Sequence, residues 1–234
     1  LMATFPEGIT ALRASRIAAN KLKLDSNLFR KLIRDTAFLR EQGLPKEAKT
    51  AEGYLFPDTY QFFISADPKS LITLMLGRWN DIVTDSLKQE INKRGMTVHE
   101  FMTLASIVEA EAQVPSERDT IAGVYHNRLR IGMKLDADPT VQYGHGLERP
   151  ITGTDVRRDN PYNTYMRRGL PPGPINNPGK AAILATLNPA KHDYLYFVAR
   201  RDGTGGHYFS KNIGDQTRMI GVARKNAAAR DTNK

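Results

Sequence analysis

The chain has 234 residues, 40% of them hydrophobic and 25% charged, with no cysteine, a net charge of +9 and a pI near 9.7. That length allows one large domain or two modest ones, and the lack of cysteine excludes disulfides and thiolate chemistry. No apolar run approaches the ~18 residues of a membrane span, while the basic balance favours an anionic partner: nucleic acid, a membrane surface or an acidic polymer. The basic residues are scattered in pairs such as Arg157-Arg158 and Arg200-Arg201, without the aromatic-basic interleaving of an RNA-binding surface. The start at Leu1, without a signal-peptide pattern, is what a piece of a longer protein would show.

Residues 1–50 read as a small binding or positioning module. A turn at PEGIT precedes a basic amphipathic helix over Ala11–Lys21 and a second helix over Ser26–Arg40, closed by Gly43-Leu44-Pro45. The aromatic-rich segment EGYLFPDTYQFF, Glu52–Phe63, has two readings. It is a packed linker, or Tyr54, Phe56 and Tyr60 wall a cleft for a flat ligand. A long helix is expected over Lys69–Lys93, with Trp79 in its apolar face.

Thr97 and Glu100 form a capping-box signature for the helix TVHEFMTLASIVEAEA. One apolar stripe runs through Phe101, Leu104, Ala105, Val108 and Ala112. At about 100° per residue, Glu111 lies roughly 60° from the stripe's centre and Glu109 roughly 100° away on the other side. A carboxyl at the edge of such a stripe loses solvation, which raises its pKa as a general acid near neutral pH requires.

Ser116 with Asp119 signals the cap of a helix to about Arg130, with Gly132 at its C-terminal end. Asp138-Pro139 reads as an N-cap followed by the first helical residue, opening a short helix with Thr140, Gln142 and Tyr143. From Arg149 to Asn177 regular periodicity is absent, and GLPPGPINNPG at Gly169–Gly179 is stiff without being helix or strand. A helix from Asn177-Pro178 to about Leu187, a hairpin of Tyr194–Val198 with His207–Phe209, and a last helix after Asn212 complete the chain. The tail over 226–234 is expected to fray.

The five histidines are dispersed without HExxH spacing, so no metal site is expected, and no GxSxG, P-loop or GxGxxG occurs. Carboxylic-acid catalysis beside side chains suited to sugars remains. The blocks LASIVEAEA (104–112), SERD (116–119), NRLRIGMKLDADPTVQYG (127–144), YNTY (162–165), GLPPGPINNPG (169–179) and NPAKHDYLYFVARRDGTGGHYF (188–209) resemble, in order, the MltG-type (YceG-like) endolytic murein transglycosylases. The likeness runs from about Glu52 to the last helix.

The resemblance implies an α+β fold, with a mostly helical catalytic domain over 64–225 behind an aromatic linker (51–63) and a partial LysM-like module (1–50). It implies an enzyme without cofactor that cuts nascent peptidoglycan strands internally and leaves 1,6-anhydromuramyl ends. It further implies an inner-membrane protein anchored by an N-terminal helix absent from this chain, with a periplasmic catalytic domain and cell-wall synthases as partners, and no role for nucleic acid. The family's acid carries over to Glu111, with Glu109 as second candidate. Asn127, Asp138, Thr140, Gln142, Tyr143, Asn163, Thr164 and Tyr165 fall in matching blocks as substrate-binding candidates. Ala110 and Ala112 stand where family members often have Lys and Thr or Ala. The rivals are a hydrolytic muramidase, with Asp136 or Asp138 as second carboxylate, and a non-catalytic peptidoglycan-binding protein.

Overall fold

A computed structural model of the chain describes residues 2–61 and 67–231. Strand β1 (Met2–Thr4) leads to α1 (Ala11–Leu22), α2 (Ser26–Leu32) and α3 (Thr36–Glu41), followed by β2 (Thr59–Gln61), which pairs antiparallel with β1. The single helix expected over Ser26–Arg40 is therefore two. The Asp35 carboxylate accepts the Ala37 and Phe38 N–H groups, a capping geometry that ends one helix by starting another. The helix expected over Lys69–Lys93 divides for the same reason into α4 (Pro68–Ile82) and α5 (Asp85–Lys93), with the Thr84 hydroxyl accepting Leu87 N–H.

Next comes α6 (Val98–Glu111), opened by the expected capping box between Thr97 and Glu100. It is buried all round from Phe101 to Val108 rather than along one stripe, the pattern of a helix at the centre of a protein. A single 3₁₀ turn at Pro115–Glu117 leads into α7 (Arg118–Arg130), which has no side-chain cap, so Ser116 does not play the part expected of it. Then follow α8 (Asp138–His145), α9 (Gly153–Val156), α10 (Lys180–Leu187), the antiparallel hairpin β3 (Tyr196–Ala199) and β4 (His207–Ser210), and α11 (Ile213–Asp231). The expected fraying after residue 225 does not begin there: α11 continues, and Asn226 donates to the Arg200 carbonyl. Residues 232–234 lie outside the described residues.

With about half its length helical and two small sheets, the chain is α+β. Among the described residues no helix is long and apolar enough to cross a membrane.

Two apolar cores meet at α6. Phe101, Met102 and Ala105 face the first, which takes in Phe5, Phe29 and Leu39 from the first fifty residues together with Tyr54, Leu71 and Trp79. Leu104, Ile107 and Val108 face the second, with Ile121, Tyr125, Leu135 and Ile175. Tyr54, Phe56 and Tyr60 are all buried in the first core, which settles the aromatic segment as packing rather than a cleft wall. The Tyr54 ring meets Trp79 edge-on at 5.0 Å. Phe62 and Phe63 lie outside the described residues.

One residue stitches the early segments to the late loop. Asn177 accepts Gly53 and Leu55 N–H at Oδ1 and donates from Nδ2 to the Ile9 carbonyl and to Glu52.

Candidate active site

The end of α6 sends two carboxyl groups in different directions. Glu109 turns toward the start of α10, where its Oε2 accepts Gly179 N–H at 3.1 Å. The same side of α6 carries the stiff loop before α10. His99 Nε2 donates to the Pro172 carbonyl, so Nδ1 is left to accept from Tyr54 OH. Ser106 Oγ accepts Ile175 N–H, and the Asn176 amide donates to the Ser106 carbonyl. Three side chains along one helix thus clamp the segment from Pro172 to Gly179, and Glu109 is the last of them.

Glu111, the final residue of α6, turns toward α7, α8 and the turn at 162–165. It is half-buried. Its Oε1 accepts a 3.0 Å hydrogen bond from Tyr125 OH, and Tyr125 is held by burial and by an edge-on contact with Phe197 at 5.9 Å. Burial pushes the Glu111 carboxyl up to about 7, and the negative charge of Asp138 adds to the rise. The Tyr125 hydrogen bond and the Arg128 guanidinium oppose it. The pH sign follows: the neutral acid prevails below about 7 and is lost above it.

Arg128 is itself buried, donating to the Leu135 and Leu195 carbonyls at 2.6 Å each, with its guanidinium over the Tyr196 ring. It supplies a fixed positive charge within reach of Glu111 and Asp136. Asp136, half-buried, has its carboxyl raised by burial.

The residues expected to touch substrate divide sharply. Asp138 is not the cap of α8. It is the first helical residue, exposed, and its carboxylate accepts from Tyr165 OH. Asp138 acts electrostatically on Glu111, and Glu111 in turn helps to raise the Tyr165 hydroxyl. Thr140 and Thr164 are buried, hydrogen-bonded to each other at 2.9 Å, and to Ala137. Asn163 is buried and donates to the Val156 and Arg158 carbonyls, bracing the loop. Asn127 spends its amide on the His192 and Tyr194 carbonyls. Gln142 donates to the Arg149 carbonyl, and Tyr143 OH donates to Glu52. Among these candidates, then, Asp138 and Tyr165 gather at Glu111 while the rest shape the surrounding chain.

Tyr125 and Arg128 stand beside Glu111 without having been singled out from the sequence. Tyr125 sits in the apolar pattern of α7, and only its hydroxyl distinguished it from core. Among the described residues no three His, Asp or Glu side chains come together as a metal ion would require.

A half-buried carboxyl raised toward neutrality, hydrogen-bonded by a phenol and near a buried guanidinium, makes a candidate acid site on a mostly helical α+β frame. The YceG-like family profile matches residues 2–221, and the chain belongs to the YceG-like family. It is 43% identical over 157 residues to an endolytic murein transglycosylase of Bacillus subtilis, covering 65% of this chain and 42% of that protein. It is 33% identical over 242 residues to one of Streptococcus pneumoniae, covering 93% of this chain and 43% of that protein. The chain spans less than half the length of either relative. A YceG-like protein of Listeria monocytogenes has a solved structure that superposes with a TM-score of 0.84 at 37% identity, covering 93% of this chain and 75% of that one.

Proposed function

We propose that this chain carries the catalytic part of an endolytic murein transglycosylase and that Glu111 is its acid and base. The observation that carries the reading is a half-buried carboxyl at the end of α6, hydrogen-bonded by Tyr125 and desolvated enough to hold its proton near pH 7. The naming of the relatives from B. subtilis and S. pneumoniae supports the reaction class.

In the reaction, the neutral Glu111 carboxyl gives its proton to the oxygen joining C1 of N-acetylmuramic acid to N-acetylglucosamine. The C1–O bond breaks, its electron pair stays on the leaving oxygen, and positive charge develops at C1. The muramyl C6 hydroxyl then bonds to C1, and its proton passes to the Glu111 carboxylate. No water is consumed, the acid is regenerated, and the new end is a 1,6-anhydro sugar. One carboxyl serves both steps, so the second carboxylate of ordinary glycosidases has no required part. Arg128 limits how far the Glu111 pKa can climb, keeping the ionised form accessible for the second step.

Anchoring by a helix N-terminal to this segment, a periplasmic face of the inner membrane and contact with cell-wall synthases belong to the same proposal, on the strength of family membership. So does the LysM-like character of residues 1–50.

Mass analysis of products from purified glycan strands tests the chemistry. Ends one water lighter than reducing ends are expected. Reducing ends would instead assign hydrolysis and make Asp138, exposed and in the field of Glu111, the base that activates water.

A further inference from the structure

A cavity of about 390 Å³ lies away from Glu111, between the first helices and α8, within the roughly 300–1,000 Å³ typical of small-ligand sites. Its charged lining is Arg30, Arg34, Glu52 and Glu148, and Gln142 and Tyr143 form its α8 side. Glu148 is engaged at 3.1 Å by Arg16. Glu52 is buried and accepts hydrogen bonds from Ala11 N–H, the Asn177 amide and Tyr143 OH. Burial nonetheless raises its carboxyl to about 8, so it is mostly uncharged at neutral pH. Arg30 donates to the Ser26 carbonyl and the Asn27 amide, and neither it nor Arg34 meets a carboxylate among the described residues. The cavity therefore holds two uncompensated guanidinium groups beside an apolar wall of Leu12 and Ile33.

Helix α8 connects this cavity to the proposed active site. Asp138 at its start acts on Glu111, and Gln142 and Tyr143 lie four and five residues on, about 7 Å along the axis. Guanidinium pairs match carboxylates with directional, charge-assisted hydrogen bonds, and the apolar wall suits a methyl side chain. We propose that the cavity between α1, α2 and α8 binds a short carboxylate-bearing peptide, the stem attached to a muramyl residue of the strand being cut. This deepens the transglycosylase reading and rests on it.

The probe is N-acetyl-L-alanyl-D-glutamate, titrated calorimetrically at low salt. Saturable binding is expected in the wild type, weakened about tenfold or more in the Arg30→Gln/Arg34→Gln protein and kept in Glu111→Gln. Both arginines are exposed, so the double variant should fold, which its thermal melt verifies. In a second measurement, strands with stems and strands stripped of them by an amidase are compared. The double variant should lose the wild type's lower KM for stem-bearing strands.

Absent binding, or binding and strand preference equal in both proteins, overturns the site. The two proposals fail separately. Strands cut normally with no dependence on the arginines would sink the peptide site alone. Arginine-dependent peptide binding by a protein that cuts no strand would sink the transglycosylase reading and leave a peptide site standing.

Discussion

Glu109 and Glu111 leave the same helix end two residues apart, about 200° around the axis, and arrive in regions of opposite character. On the Glu109 side, His99, Ser106 and Glu109 are each occupied by the loop from Pro172 to Gly179. On the Glu111 side the carboxyl accepts from one side chain, Tyr125, and feels the charges of Asp138 and Arg128. Both carboxyls are raised, in each case first by burial. Glu52 is raised further still, yet is enclosed by three donors. A perturbed carboxyl therefore does not identify an acid by itself. What separates Glu111 is its company: a phenol donor with Asp138 and Arg128 near it, where Glu109 holds a backbone N–H of the late loop.

The largest expected effect sets the two glutamates directly against each other. Glu111→Gln should lower strand cleavage by roughly 10²–10⁴, whereas Glu109→Gln, which keeps an acceptor for Gly179 N–H, should stay within about threefold if it acts only as a clamp. Initial rates on uncross-linked strands measure both. Equal losses would erase the distinction between the two regions.

Stability should report the other side of the helix. Ser106→Ala leaves the buried Ile175 N–H without its acceptor and should cost about 1–3 kcal/mol in denaturant unfolding. A neutral result would mean that the loop is held elsewhere.

The smallest effect concerns tuning. Tyr125→Phe removes the hydrogen bond that favours ionised Glu111, so the acid should keep its proton to higher pH. The alkaline limb of the kcat/KM profile should move upward by about one pH unit. A downward move would show that Tyr125 favours the neutral form instead.

Much of this was legible from local signals. The capping box at Thr97 and Glu100 and the hairpin depend on neighbours in sequence, and they appear where the pattern puts them. The breaks before Thr36 and Asp85 were hidden because apolar residues continue across them, while the deciding event is one side chain capping the next turn. Strands β1 and β2 were hidden for another reason: three residues each, paired across more than fifty positions, leave no periodic trace.

Of the residues named from sequence, Glu111, Asp138 and Tyr165 are the ones that the structure brings together. Thr140, Asn163 and Thr164 have donors and acceptors that suit sugars, but backbone groups consume them: the Ala137 carbonyl for Thr140, the Val156 and Arg158 carbonyls for Asn163, and the Ala137 N–H for Thr164. Tyr125 was hidden within an apolar stripe, and Glu52 within an aromatic segment. In each case the chemistry arises from packing between elements.

The central claim is that Glu111, unlike an ordinary carboxyl, holds its proton near neutral pH. Carbon-13 NMR of protein labelled at the glutamate side-chain carboxyls measures this without substrate, with the Glu111 resonance assigned by its loss in Glu111→Gln. A titration midpoint near 7 that rises in Tyr125→Phe is predicted. A midpoint at the ordinary carboxyl value of about 4.3, unmoved by that substitution, would contradict the account.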